Sequence, residues 1–372
     1  MNETASERTA LSGTCESGAS FLNSSSSGNI SNQTCFSEPQ GNGHPFGEAY
    51  ILVTTVLFGA ILVASLAGNS LIIFTILRRK SMKTPCNYFI MNIALSDIGV
   101  GAVAAPLRIL EIFASWPFGD FMCHFLWPIQ DVFVCVSVFT HTTIGLERYR
   151  AIVRPFKPKV SLHKTKIIIV SLWLGCYCAS GIPQSFLLEL TEIMGWKYCF
   201  INWPSLLFRR CYIMYLVVVF IVVPLIIQTW CYIKIVNVLS KKTDFGQSTR
   251  IVLRGKNERE LQETRKKRLI RMLITSLVVF QVCYVPRGVL MITLEFQPDD
   301  VINSQVFAYA DLISLVLYYC KHIVNPVILF SMSGDFRNAF LTSVTDCGKS
   351  EQSLCSQQQI TLQESRHEAT TV

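Results

Sequence analysis

The sequence predicts an all-α membrane protein: a seven-transmembrane helix bundle followed by a short cytoplasmic amphipathic helix. Three observations predict this fold. The 372-residue chain is 51% hydrophobic and only 16% charged, whereas soluble domains carry about 25% charged residues. It contains seven long apolar stretches. Its lysines and arginines lie mainly beside alternate stretches, which is typical of a chain with one orientation in a bilayer.

The first region, residues 1–48, is predicted to be a disordered tail because it is rich in Ser, Asn, Gly and Thr. It carries four glycosylation sequons, at Asn2, Asn23, Asn29 and Asn32. Four sequons in one short tail predict an extracellular, glycosylated segment. The tail contains no apolar run that resembles a cleavable signal peptide, so we expect the first apolar stretch to direct membrane insertion.

The second region, residues 49–333, is predicted to form the bundle. Each apolar stretch reaches the ~20 residues that a helix needs to cross the hydrocarbon core. Backbone groups in lipid must satisfy their own hydrogen bonds, so each stretch is expected to be a helix. The stretches run approximately over 50–77, 87–113, 122–146, 166–187, 211–238, 269–293 and 306–330.

Basic residues predict how the bundle is oriented. They follow the first and third stretches and separate the fifth from the sixth, whereas 109–120 and 294–304 contain no Lys or Arg. Lys197, Arg209 and Arg210 are a mild exception. This distribution places the N-terminus outside the cell and the C-terminus in the cytoplasm. It also explains the net charge of +8 without a nucleic-acid partner.

Short motifs recur in a fixed order along the stretches. They are Gly68-Asn69, Leu95-Ser96-Asp97, Glu147-Arg148-Tyr149 with Pro155, Trp173, Pro183, Pro224 with Tyr232, Pro286, and Asn325-Pro326. Each motif alone is weak, but the ordered set over roughly residues 50–345 resembles the rhodopsin-like (class A) G-protein-coupled receptors, and neuropeptide receptors in particular. The resemblance implies a plasma-membrane receptor that binds an extracellular ligand and activates heterotrimeric G proteins.

The resemblance also assigns roles to cysteines and to the ends of the helices. It implies a disulfide between Cys123 and Cys199, which face the oxidising side; a further bridge between Cys15 and Cys35 is left open. It implies that Arg148 is held inward at rest and turns toward the G protein when the sixth helix swings out, although a plain basic anchor is the alternative. The implied activation residues are Asp97, Glu147, Arg148, Tyr149, Tyr232, Phe280, Tyr284, Pro286, Lys321, Asn325 and Pro326.

Three positions depart from the family pattern. Leu329 stands where the family usually has Tyr after Asn-Pro, and Tyr284 stands where it usually has Trp before Pro286. Lys321 stands where the family has a neutral residue near a sodium ion. Lys321 and Asn325 are four residues apart and share a helix face. We hypothesise that the Lys321 ammonium replaces the sodium ion and pairs with Asp97; snorkelling of Lys321 is the alternative.

The ligand class is predicted from the outer halves of the helices. Gln130 occupies the position of the Asp that pairs with amines in aminergic relatives, so an amine ligand is disfavoured. Acidic residues in the outer loops favour a cationic ligand. Arg287 is expected to pair with Asp131 or to bind a ligand carboxylate. We favour a peptide over a lipid or acidic metabolite, with a pocket lined by Arg108, Gln130, Asp131, Arg287 and Asp311.

The C-terminal part is predicted to comprise an amphipathic helix over 334–343 and a disordered tail over 344–372. Phe336 and Phe340 are four residues apart, so we expect one apolar face to lie on membrane lipids. Cys347 is a candidate for palmitoylation. Ser and Thr residues of the tail are candidates for phosphorylation and arrestin binding, and the terminus at Val372 resembles a ligand for a PDZ domain.

Competing classes find less support. A channel or transporter would need a polar stripe or interrupted paired helices, and neither is visible. The departures at Leu329 and Tyr284 leave open a constitutively active or ligand-independent receptor-like protein. The sequence contains no P-loop, nucleophile elbow or metal-spaced His/Cys cluster, so we expect neither enzymatic activity nor a metal or other cofactor.

Overall fold

The computed structural model describes residues 48–113, 115–193, 195–247, 256–296 and 305–346. Within these ranges, seven helices are long and apolar enough to cross a membrane, which confirms the predicted architecture. Most of them extend a few residues beyond the predicted apolar stretches, because polar turns continue the helices past the hydrocarbon core.

The helices are numbered in chain order, and α4 and α5 each include a π-helical turn. They are α1 (Glu48–Arg78), α2 (Pro85–Phe113), α3 (Gly119–Val153), α4 (Leu162–Leu187), α5 (Leu206–Val217 continuing through Val223–Gln247), α6 (Lys256–Phe296), α7 (Gln305–Met332) and α8 (334–346).

Each π-helical turn ends two residues before a proline. The turn at Tyr177–Gly181 comes before Pro183, and the turn at Val218–Val222 comes before Pro224. Proline has no N–H, and its ring clashes with the carbonyl four residues earlier. In both helices the residue before the proline donates its N–H to the carbonyl five residues back. The wider turn therefore lets both helices continue through their prolines.

A β-hairpin that the sequence did not predict connects α4 to α5. Strand β1 (Leu188–Ile193) pairs antiparallel with β2 (Trp196–Ile201), and Gly195 in the turn has a φ of 80°, a conformation that favours glycine. A disulfide joins Cys199 of β2 to Cys123 of α3, as the resemblance implied. The hairpin therefore covers one end of the bundle, which we call the disulfide end.

Small residues allow close helix contacts. A Cβ atom on Gly68 would lie 2.9 Å from the Pro326 ring, and one on Gly101 would lie 2.7 Å from the Ser65 side chain. Larger residues at these positions would push α1 away from α7 and from α2. The glycine of the Gly68-Asn69 motif therefore has a packing role.

The opposite end of the bundle, which carries Arg148, is called the Arg148 end. Leu329 is buried in its core cluster, and Phe336 of α8 joins the same cluster. The expectation that Phe336 faces lipid is wrong: it is 4% exposed, and its ring lies 6.4 Å from that of Phe330. The exposed apolar residues of α8 are Leu341 and Val344. The face of α8 that carries Phe336 and Phe340 instead packs against Phe330 of α7.

Candidate functional site

Asp97 lies in the middle of the bundle, and both of its carboxylate oxygens accept hydrogen bonds. Lys321 Nζ is 2.9 Å from Oδ1, and His322 Nδ1 is 2.7 Å from the same oxygen. Asn325 Nδ2 donates to Oδ2 at 2.6 Å. Ser137 donates to Oδ1 and accepts from Lys321. We call these five residues the Asp97 cluster.

The cluster combines opposite charges away from solvent. The Lys321 and Asp97 side chains are 1% and 0% exposed. A lone buried charge is very costly, but a contacting pair with further hydrogen bonds offsets much of that cost. The structure thus brings Lys321 and Asp97 together, and Lys321 does not snorkel. Sequence reasoning assigned no role to His322, although an ionisable residue inside an apolar stretch is itself a signal.

Aromatic residues of α6 pack against the Asp97 cluster. The Phe280 and Tyr284 rings stack with centroids 4.4 Å apart, and Lys321 Nζ lies 6.0 Å from each ring. Tyr284 Oη is 3.5 Å from His322 Nε2. Pro286 lies within α6, two residues after Tyr284. A displacement of α6 would therefore change the surroundings of the buried charges.

The disulfide end contains the cations predicted to bind ligand. Arg287 forms a salt bridge with Asp311 rather than with Asp131, the partner suggested as one alternative from the sequence. The Arg108 guanidinium lies 5.3 Å from the centre of the Trp127 ring. These contacts join α6 to α7 and α2 to α3 around the mouth of the bundle.

Asp131 lies near polar and charged side chains of α2, α4 and α6. The Gln184 side chain lies within hydrogen-bonding reach of Asp131, and Arg108 and Arg287 are close enough to interact with it electrostatically. Gln130 is buried, and its Oε1 has no hydrogen-bond partner among the described residues. Sequence reasoning missed Gln184, which reaches Asp131 from the last helical turns of α4.

At the Arg148 end, α3 presents the Glu147-Arg148-Tyr149 motif. Glu147 Oε2 lies 2.6 Å from Arg148 Nε, and Tyr232 of α5 is close enough to interact with Arg148. The Tyr149 ring is 4.8 Å from that of Trp230. The Arg148 side chain is 19% exposed, so the charge is largely covered in this conformation.

A groove at this end of the bundle lies between α5 and α6. It is lined by Val236, Leu239, Ser240, Ile270, Arg271, Ile274 and Thr275. Its walls are mainly apolar, with one cation and two hydroxyls. Widening this groove would require the two helices to separate.

Several predicted sites lie outside the described residues. They are the sequons at Asn2, Asn23, Asn29 and Asn32, the cysteines Cys15, Cys35 and Cys347, and the terminal Val372. Within the described ranges, no group of three or more His, Cys, Asp or Glu residues is arranged to hold a metal ion.

Comparison of the sequence with known proteins shows its family. The sequence profile described as "7 transmembrane receptor (rhodopsin family)" matches residues 68–329. The chain therefore belongs to the rhodopsin family of seven-transmembrane receptors.

Its relatives include receptors named for peptides. Neuropeptide FF receptor 2 of Mus musculus is 30% identical, with 78% of this chain and 72% of the relative covered. Substance-K receptor of Mus musculus is also 30% identical, covering 86% and 80%. Pyroglutamylated RF-amide peptide receptor of Rattus norvegicus is 30% identical, covering 79% and 70%.

Proposed function

We propose that this chain is a plasma-membrane receptor that binds an extracellular peptide and activates heterotrimeric G proteins. The observation that supports the proposal most directly is that polar groups lie at both ends and in the middle of the apolar bundle. A charged pocket at the disulfide end is linked through the buried Asp97 cluster to the Glu147-Arg148-Tyr149 motif. Membership of a receptor family and relatives named for peptides support the same conclusion.

In this proposal the disulfide end is extracellular and the Arg148 end is cytoplasmic. The positions of the basic residues and of the sequons support this orientation. Residues 49–333 form the bundle, and residues 1–48 and 344–372 are the outer and inner tails.

Signal transfer follows from the contacts of α6. A ligand that binds more tightly when α6 is displaced shifts the population toward that conformation. Such a displacement alters the contact between Tyr284 and His322 and widens the groove between α5 and α6. Arg148 then exchanges its contact with Glu147 for one with the G protein.

Lys321 takes the place of a bound sodium ion in this proposal. The ammonium and its partners occupy both oxygens of Asp97, so a metal cation would have to displace a positive charge that is covalently part of α7. We therefore expect sodium to have little effect on signalling.

The pocket chemistry favours a peptide over a lipid or acidic metabolite. An acidic ligand would have to separate Arg287 from Asp311 before it could use that guanidinium. A peptide can place both charged and uncharged groups across the acidic and basic parts of the pocket. A polar amide such as Gln130 suits peptide backbone groups.

The inner segments supply further proposed partners. The exposed apolar residues of α8 suit contact with membrane lipids, and palmitoylation of Cys347 would strengthen that contact. Phosphorylated Ser and Thr residues of the tail would bind arrestin, and the terminus at Val372 would bind a PDZ domain.

A peptide library applied to cells that express the chain tests this function, with second messengers as the readout. Untreated cells report basal output, and cells expressing Arg148→Ala at the same surface level are the control. We expect at least one peptide to raise output in wild-type cells only. A response to lipid extracts but to no peptide would favour the acidic-ligand alternative.

A further inference from the structure

One face of α7 carries polar residues along most of the bundle. They are spaced by three or four positions, so they lie above one another on the helix. They are Asp311, Ser314, Tyr318, His322 and Asn325. We call these five residues the α7 stripe. The stripe begins in the pocket at the disulfide end and ends in the Asp97 cluster, to which His322 and Asn325 also belong.

The first two residues of the α7 stripe hold Arg287 of α6. Arg287 forms a salt bridge with Asp311, and its Nη1 lies 3.5 Å from Ser314 Oγ. Ser314 is 2% exposed and donates to the Asp311 carbonyl at 2.8 Å. A ligand group that binds either member of the salt bridge must therefore disturb a contact that fixes α6 against the outer turns of α7.

Tyr318 occupies the next turn of the stripe, and its ring contacts both α6 and the turn below. The ring centroid lies 5.0 Å from that of Tyr284 and 6.3 Å from that of His322, within the range in which aromatic pairs attract. Tyr284 Oη is 3.5 Å from His322 Nε2, and His322 Nδ1 is 2.7 Å from Asp97. Tyr318 therefore packs on the two residues that lead to the buried carboxylate.

Tyr318 also lies beside the pocket. It is close enough to Asp131 and Arg287 to interact with both electrostatically. Its position one turn below Ser314 places it next to the contact between Arg287 and the outer part of the stripe. One side chain thus adjoins both the charged groups of the pocket and the aromatic contacts above the Asp97 cluster.

We propose that Tyr318 is the positioning residue that transmits a rearrangement of the pocket to the Asp97 cluster. The inference rests on the proposed receptor function and names the residue that joins its outer and central sites. Coupling between distant sites is carried by contiguous packed side chains and hydrogen bonds. Close-packed interiors are poorly compressible, so a displaced ring moves the groups against it. The ring of Tyr318, rather than its hydroxyl, makes these contacts.

The adjacent residue Tyr319 provides a matched control. It is 3% exposed, its ring lies 5.2 Å from that of Phe58 on α1, and its Oη is 3.4 Å from Arg108 Nε on α2. It also touches the Tyr318 ring. Truncating Tyr319 therefore perturbs the bundle at the same depth but removes contacts to α1 and α2, whereas truncating Tyr318 removes contacts to α6.

Fluorine NMR tests the inference without a ligand. 3-Fluorotyrosine is incorporated in place of Tyr284 in the purified receptor, and Asp311→Asn is used to break the salt bridge in the pocket. The shift of the fluorine resonance caused by Asp311→Asn is measured in three backgrounds: wild type, Tyr318→Leu and Tyr319→Leu. Tyr318→Met takes the place of Tyr318→Leu if the leucine variant does not fold.

We expect Asp311→Asn to shift the resonance in the wild-type and Tyr319→Leu backgrounds, and this shift to be largely lost in Tyr318→Leu. A shift that persists in Tyr318→Leu would mean that the disturbance travels along α6 itself, and it would overturn the inference. An equal loss in Tyr319→Leu would overturn it as well. So would the absence of any shift in wild type, because the pocket and the Asp97 cluster would then be uncoupled.

Guanine-nucleotide exchange gives the functional readout, with a pool of random-sequence synthetic peptides as the probe. At equal receptor number, we expect Tyr318→Leu to reduce peptide-stimulated exchange about 5- to 10-fold, as the loss of an aromatic pair implies. Tyr318→Phe keeps the ring and should retain the wild-type response. Full stimulation of Tyr318→Leu would overturn the inference. If no peptide stimulates wild type, the proposed peptide function fails, and the fluorine measurement still decides whether Tyr318 couples the two sites.

Discussion

Replacing Lys321 with methionine would leave the Asp97 carboxylate buried without the ammonium beside it. Breaking a buried ion pair by removing one partner costs about 3–5 kcal/mol. His322 and Asn325 would still hydrogen-bond to Asp97, so we expect the lower part of that range, about 3 kcal/mol. Replacing Asp97 with asparagine should cost a similar amount, because it leaves the ammonium uncompensated.

The double variant Lys321→Met/Asp97→Asn removes both charges, and we expect it to be more stable than either single variant. Replacing a whole buried pair by uncharged groups is often nearly neutral, so the two substitutions should be strongly non-additive. The assay is thermal unfolding of the purified receptor at one scan rate, since unfolding of large proteins is often irreversible. A loss of 3 kcal/mol corresponds to a fall in Tm of roughly 4 °C, because the unfolding entropy of a chain of 372 residues is about 0.8 kcal/mol/K.

The exposed lysine Lys83 provides a matched control, and Lys83→Met should change the Tm little. The reasoning is refuted if Lys321→Met unfolds at the wild-type temperature. It is also refuted if the effects of Lys321→Met and Asp97→Asn simply add in the double variant.

Three further predictions concern the cation site, the disulfide and the pocket. The Tm of wild type should be equal in sodium chloride and choline chloride at the same ionic strength; a sodium-specific rise that Asp97→Asn abolishes would contradict replacement of the ion by Lys321. The Cys123–Cys199 bond closes a loop with a sequence separation of 76, which is worth about 4 kcal/mol, so Cys123→Ser and Cys199→Ser should each reduce surface receptor. The double Ser variant should behave like the singles, and unchanged surface levels in either single would argue against the bond. Arg287→Ala should weaken ligand potency about tenfold in concentration–response curves, and unchanged potency would exclude Arg287 from the pocket.

The helical architecture was predictable because burial in lipid imposes simple rules on the chain. Seven apolar stretches of sufficient length and an ordered set of motifs were enough to predict the bundle. The π-helical turns were not predicted, although Pro183 and Pro224 are visible in the sequence. How the backbone accommodates each proline depends on which carbonyl remains available to the preceding N–H.

The hairpin was missed for a related reason. β1 and β2 have six residues each, and such short strands carry little periodic signal. Gly195 marks the turn only once the pairing is known. The bond between Cys199 and Cys123, implied by resemblance, gave no indication of strand structure around it.

The relative positions of candidate-site residues were predictable where the residues lie on the same helix. The spacing of Lys321 and Asn325 places them on one face of α7, and the family resemblance implied that this face looks toward Asp97. The partner of Arg287 could not be chosen in the same way, because Asp131 and Asp311 lie on different helices. Spacing along one helix does not indicate which of two other helices approaches more closely.

The measurement that tests the central claim most directly is guanine-nucleotide exchange on a G protein in membranes containing this chain. Binding of an active peptide and exchange are measured together for wild type and Arg148→Ala at equal receptor number. We predict that both receptors bind the peptide, but only wild type accelerates exchange. Equal acceleration by Arg148→Ala would contradict the account, because ligand binding at the disulfide end would then activate the G protein without the Arg148 side chain.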